Sequence, residues 1–352
     1  MKMLLSATLF IFSVLSSPAQ STILTDTTIF QKFPDEKEIS FQAIFPVQKD
    51  FVRRIFLTDT SIVIWSLNAD RGFFFRSYSM TGRLASGGYI KAGTGFGKVA
   101  GALSGGRYKG TYWLHDVSMK KLVAATPSTN SAGADTVLLQ EYAMPDFYFG
   151  TALVDNQQLL GSGSYDAKYR LVKINLQNGL SFRKYGSFAN PPEDVPVSSW
   201  KQSYESFVFT NPDGTKAALA CRFTDQVDFI DLATQQCSIL KGPENYPAMF
   251  NTINVNGRDM LERTAETRFA FVSGTASDKY IYLLYSGNHE VEGAGNLNST
   301  GKLIYVYDWE GRPVRKYTTS TLISSIAVTA DDSLLYAYDT DTGNIVKTTI
   351  NE

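Results

Sequence analysis

Cysteine and histidine are both scarce, with two of each in 352 residues. Cys221 and Cys237 form no Cys-x-x-Cys pair, and His115 and His289 belong to no His-Glu-x-x-His stretch. That excludes zinc sites of ordinary ligand spacing, and no metal or cofactor is expected. No Gly-x-Ser-x-Gly elbow is present, so the commonest serine-hydrolase signature is missing as well. An excess of one charge is also lacking, because 33 Lys and Arg face 34 Asp and Glu, for a net charge of -1. Nothing in that balance draws the chain to nucleic acid or to an acidic membrane surface. Beyond the N-terminus no apolar run approaches the roughly 20 residues that a spanning helix needs, so no membrane span is expected.

The N-terminus does carry an apolar run. Lys2 precedes a nearly unbroken apolar stretch at 4–15, and Ser-Ser-Pro-Ala follows at 16–19. A charged start, a short apolar core and a small-x-small ending describe a secretory signal peptide, cleaved after Ala19. No cysteine stands at the cleavage site, so no lipid anchor is expected. The mature chain should be extracytoplasmic, periplasmic or secreted, with residues 20–352 as a single domain and a monomer. With 43% hydrophobic and 19% charged residues, it has enough apolar material for a core.

Short runs rich in Val, Ile, Tyr and Phe recur, whereas long amphipathic helical patterns are absent. Six of these runs read as equivalents of one strand, at 61–67, 111–117, 157–163, 216–222, 279–285 and 333–339, with starts 50, 46, 59, 63 and 54 residues apart. Turn signals such as Met-Thr-Gly at 80–82 and Trp-Glu-Gly at 309–311 punctuate the units. A four-stranded unit repeated at that spacing predicts an all-β, six-bladed β-propeller, in which each sheet buries its faces against its neighbours. A β-sandwich is the alternative. The last unit ends soon after its third strand, and the alternating segment 38–44 is placed to close the ring as its outer strand. Cys221 and Cys237 fall on strands separated by one strand, about 9–10 Å apart, too far for a disulfide. Two buried free thiols are therefore expected.

Several segments carry a more specific likeness: Thr-Asn-Pro-Asp-Gly-Thr-Lys at 210–216, Asp-Gln-Val-Asp-Phe-Ile-Asp at 225–231, Arg-Phe-Ala-Phe at 268–271, Lys-Tyr-Ile-Tyr-Leu-Leu-Tyr-Ser-Gly at 279–287, Ile-Tyr-Val-Tyr-Asp-Trp-Glu-Gly-Arg-Pro at 304–313 and Ile-Ser-Ser-Ile-Ala-Val at 323–328. Together they resemble the TolB-like six-bladed propeller family of exported bacterial proteins, most clearly over 200–350. These motifs are structural, so the resemblance implies a fold and not a reaction. Many relatives carry a lipid-anchor cysteine after the signal, and this sequence departs from them there.

Two near-motifs fail. Gly-Thr-Gly-Phe-Gly-Lys at 93–98 has phosphate-loop character, but Val99 stands where a magnesium-binding Ser or Thr belongs and no helix signal follows. Asp-Thr-Asp-Thr-Gly-Asn at 339–344 resembles half a calcium loop, but its glycine comes one place early and Ile350 replaces the final Glu. It reads as a turn. What remains is a binding or scaffolding propeller whose partner is a peptide, a glycan or a protein. The alternative is a propeller hydrolase or lyase with carboxylates and a histidine at the mouth of the central channel. Taking the six equivalent runs as first strands, the long loop 287–301 joins a first strand to a second and lies opposite the links between blades. Its His289 and Glu290, with Arg71, Asp166, Asp225 and Asp339 in the corresponding loops, are the candidate ligand-binding residues.

Overall fold

The six aliphatic and tyrosine-rich runs each become the second strand of a four-stranded antiparallel blade, in a computed structural model that describes residues 25–47, 52–70, 72–85, 87–129, 135–164, 168–290 and 298–350. Blade 1 runs through Val52–Leu57, Ser61–Asp70, Phe73–Ser79 and Tyr89–Ala92, and blade 2 through Ala102–Tyr108, Thr111–Asp116, Lys121–Thr129 and Asp135–Ala143. Blade 3 is Gly150–Leu153, Gln158–Ser162, Tyr169–Asn175 and Ser181–Ser187; blade 4 is Ser206–Thr210, Lys216–Cys221, Gln226–Asp231 and Cys237–Lys241. Blade 5 comprises Phe271–Ala276, Tyr280–Tyr285, Gly301–Asp308 and the start of the long strand Pro313–Val328. The far end of that strand is the inner strand of blade 6, followed by Leu334–Asp339 and Asn344–Thr349, so one continuous strand welds the last two blades.

Each blade's inner strand precedes the run recognised from sequence. The inner strands of blades 3 and 5 are poor in large side chains: Gly150–Leu153 reads GTAL, and Phe271–Ala276 reads FVSGTA. The reason is crowding at the axis. A Cβ on Gly274 would lie 2.7 Å from the Phe209 ring of blade 4, and one on Gly150 would collide with the Ser206 carbonyl of the adjoining inner strand. The six recognised runs are therefore second strands. Loop 287–301 consequently joins a second strand to a third and shares a face with the inter-blade links, not the opposite face. The remaining second-to-third loops emerge on that face too, because strand direction alternates within a blade.

Closure comes from the N-terminal segment. Gln42–Pro46 pairs antiparallel with Asn344–Thr349 as the outer strand of blade 6. The pairing partner is the expected one, but the strand begins at Gln42 rather than Glu38, since Glu36–Glu38 is already occupied alongside blade 5. Before reaching blade 6 the chain runs parallel to the outer edge of blade 4 through Thr25–Ile29, then along blade 5 through Glu36–Glu38. Between these contacts Phe33 is buried, its ring 4.8 Å from Tyr305 and 5.7 Å from Tyr307. This belt covers edges that would otherwise be open to pairing with another chain. Across the seam, Phe45, Val52, Ile55 and Ile62 pack with Tyr336, Tyr338 and Ile345 in one apolar cluster.

Candidate functional site

The central channel is divided by one side chain. A β-bulge at the start of blade 1's inner strand, between Val52 and Arg54, makes Arg53 the extra residue. In a regular strand consecutive side chains face opposite ways, and the bulge re-aims one so that both arginines serve the axis. Arg54 donates from Nη1 to the Gly105 carbonyl of blade 2 (3.2 Å) and from Nη2 to the Gly274 carbonyl of blade 5 (3.1 Å). Its guanidinium also lies over Phe56 and Phe209. Burial lowers its pKa to about 10, which leaves it protonated at neutral pH. It thus spans the axis and forms the floor between two openings. The opening away from the links is a cavity of about 190 Å³, lined among others by Arg107, Trp113, Thr210 and Thr275.

The opening on the link face is charged. Arg222, just past blade 4's second strand, donates from Nη1 to Oε2 of Glu205 (3.3 Å), which sits in the link from blade 3 to blade 4. Its guanidinium is sandwiched among Phe149, Phe223 and Phe269 at 5.3, 5.3 and 5.6 Å. Arg263, in the next link, pairs with Oε2 of Glu290 at 3.2 Å, and Oε1 of Glu290 accepts from Asn298. Arg53 lies over Phe207 at 5.8 Å. Burial raises the Glu205 carboxyl, against the pull of Arg222. Burial, with Arg222 and Arg54 nearby, brings Arg53 down to about 10.

A second cleft, of about 310 Å³, opens on the same face between the two long links of blade 4. Trp200 of the short helix Val197–Gln202 forms one wall with Tyr204, and Tyr246, Lys241 and Asp225 complete the lining. Beside it the hairpin Asn251–Val255 and Arg258–Glu262 packs on the helix, fastened by Ser198 Oγ to the Asp259 carbonyl at 2.6 Å. Val197, Met249, Ile253 and Val255 are left exposed on this cap.

The structure places the residues singled out from sequence as follows. Glu290 reaches the channel mouth. His289 is exposed and bridges by its backbone to Arg268. Asp225 lines the second cleft, where its Oδ2 accepts from the backbone N–H groups of Glu244 and Asn245, both at 3.0 Å. Burial raises its pKa despite these bonds. Asp339 caps its own turn, with Oδ1 accepting from the Asp341 backbone and Oδ2 from the Thr342 hydroxyl. Arg71 and Asp166 lie outside the described residues, as does the signal-peptide segment. After Val99 the chain enters the inner strand of blade 2, with no helix there for a phosphate loop. Sequence reasoning missed Arg53, Glu205, Arg222 and Arg263. The one available signal was the arginine pair inside the otherwise apolar strand VRRIFL.

No curated protein matches the sequence. Among solved structures, a candidate exported protein of Bacteroides fragilis NCTC 9343 superposes with a TM-score of 0.54 at 11% identity, over 94% of this chain and 100% of that one. Hydrazine synthase of Kuenenia stuttgartiensis gives 0.45 at 10% identity, over 87% and 97% of the two chains. At 11% identity the likeness to the Bacteroides protein is one of fold. No helix among the described residues is long and apolar enough to cross a membrane. The model of the TolB-like 6-blade propeller-like family matches residues 28–331, in agreement with the six blades, and the chain belongs to that family.

Proposed function

We propose that this chain is an exported, non-catalytic propeller that binds a peptide, glycan or protein partner on its link face, as a monomer of one domain over residues 20–352. The observation that carries the reading is the convergence of Arg53, Glu205, Arg222, Arg263 and Glu290 on one channel mouth above the Arg54 floor. They come from three blades and two links, and a rigid scaffold presenting loop residues at one end is an arrangement suited to recognition. Glu205 and Glu290 are each committed to an arginine, which suits holding a partner better than transferring protons. His289 at the rim and Asp225 in the neighbouring cleft extend the surface available to a ligand. Export is supported by the Lys2, apolar 4–15 and Ser-x-Ala ending of the N-terminus, and by the Bacteroides protein of matching length.

A thermal-shift screen with peptides, neutral and acidic glycans and divalent metals tests the reading, run on the parent and on a doubly substituted Arg263→Ala, Glu290→Gln protein. A ligand that raises the midpoint of the parent but not of the variant is expected. A ligand that shifts both equally would place binding elsewhere, and no shift from any class would count against a binding role.

A further inference from the structure

We infer that the link-face mouth is a receptor for an organic monocarboxylate, taken end-on by the guanidinium of Arg53. The inference rests on the binding reading above and specifies its ligand chemistry.

Arg54 spends its donors on two carbonyls, Arg222 on Glu205, Arg263 on Glu290 and Arg170 on Asp228. Arg53, only half-buried, is engaged through the Phe207 ring alone, and among the described residues no hydrogen bond or ion pair takes up its donors. A guanidinium has five N–H donors, and those of half-buried Arg53 are open to an incoming acceptor. An aromatic ring under one face of the plane leaves the N–H edges free to point into the mouth.

Four arginines (Arg53, Arg54, Arg222 and Arg263) meet two carboxylates (Glu205 and Glu290) among the described residues of the mouth and floor, whereas the whole chain is nearly neutral. Arg54 and Arg222 both repel Arg53. An incoming anion relieves that repulsion. With Arg222 and Arg263 already balanced, a single negative charge is what Arg53 can match.

A guanidinium edge matches a carboxylate through two parallel bonds. The Arg54 bridge from blade 1 to blades 2 and 5 bars passage along the axis, so what enters is the end of a molecule.

The test is calorimetric titration at low salt with acetyl-triglycine, acetyl-triglycine amide, glucuronate and inorganic phosphate. At least one carboxylate is expected to bind, with the amide weaker by about tenfold or more, the loss typical of a charged hydrogen bond. Binding by the peptide acid alone assigns the carboxylate to a chain terminus, binding by glucuronate alone to an acidic sugar, and binding by both to the carboxylate itself. Arg53→Gln should lose the same tenfold while keeping or raising its unfolding midpoint, since it removes an unpaired charge. Should that variant fail to fold, Glu205→Gln serves instead, and is expected to tighten carboxylate binding by freeing Arg222. The inference is overturned if no carboxylate binds, if the amide binds as well as the acid, if phosphate binds more tightly than either acid, or if neither substitution changes affinity. Amide binding that is lost on Arg263→Ala would overturn the carboxylate while leaving the binding reading intact.

Discussion

Arg170 donates from Nε to Oδ2 of Asp228 at 2.8 Å, with the two side chains only 2% and 1% exposed. The pair joins the third strand of blade 3 to the third strand of blade 4. The rest of the guanidinium is used as well, on the Tyr204 carbonyl and the Ser206 hydroxyl, while Gln226 donates to the other Asp228 oxygen. Removing one partner of such a pair strands the other charge, at a cost of about 3–5 kcal/mol. Asp228→Ala is therefore expected to lower unfolding stability by about that much in a denaturant titration. A loss under about 1 kcal/mol would mean that water reaches Arg170.

The belt yields a second expectation. Phe33 is buried against Tyr305 and Tyr307, far along the chain from either. Phe33→Ala should cost about 3–5 kcal/mol, the range for losing a buried aromatic ring. Deleting residues 1–47 should do more, exposing the third strand of blade 6 as an open edge and lowering the midpoint of the whole domain, with aggregation. Thermal unfolding with light scattering checks both. An unchanged midpoint in the deletion would show that the ring stands without its N-terminal strand.

How far the sequence reveals this molecule depends on side-chain size. The second strands stand out because a run such as YIYLLY, at Tyr280–Tyr285, packs against neighbouring blades on both faces. Inner strands such as those of blades 3 and 5 do not, because axial crowding there selects small residues, so GTAL carries no β signal of its own. Without them the strand count shifts by one, which puts loop 287–301 on the wrong face. The site is obscured for a different reason. Arg53, Glu205, Arg222, Arg263 and Glu290 are scattered over more than 200 positions, and each alone looks like an ordinary solvated charge. Only loop length drew attention to Glu290, and only the closed ring brings the others to it.

The two cysteines give a chemical check on blade 4. Cys221 lies on its second strand and Cys237 on its fourth, both buried and unpaired. Burial raises both thiols, that of Cys237 to about 12, so neither forms thiolate at neutral pH. The folded protein should therefore resist a thiol reagent, and denaturation without reductant should release two reactive thiols. Recovery of none would show a disulfide and a different strand order.

His115 gives the acid limit of stability. Its ring is 1% exposed, Nδ1 lies 3.1 Å from the Tyr148 carbonyl, and Nε2 is buried without a partner. The carbonyl can only accept, so Nδ1 carries a proton, while a second proton on the buried Nε2 would have no acceptor, which favours the neutral ring. Burial is the dominant influence on its pKa and lowers it below the usual 6.5; the Tyr148 carbonyl and nearby Asp116 oppose that shift without cancelling it. A base with a lowered folded pKa binds protons more readily when unfolded, so its contribution to stability is present above pH 6.5 and is lost as the pH falls through that value. Denaturant unfolding from pH 8 to pH 5 should show a steady loss of stability on the acid side. In His115→Gln, which cannot take up the proton, the slope over that window should be shallower, even if the variant starts less stable at pH 8. Equal slopes would mean that the imidazole is protonated in the folded protein and that Nε2 has found water.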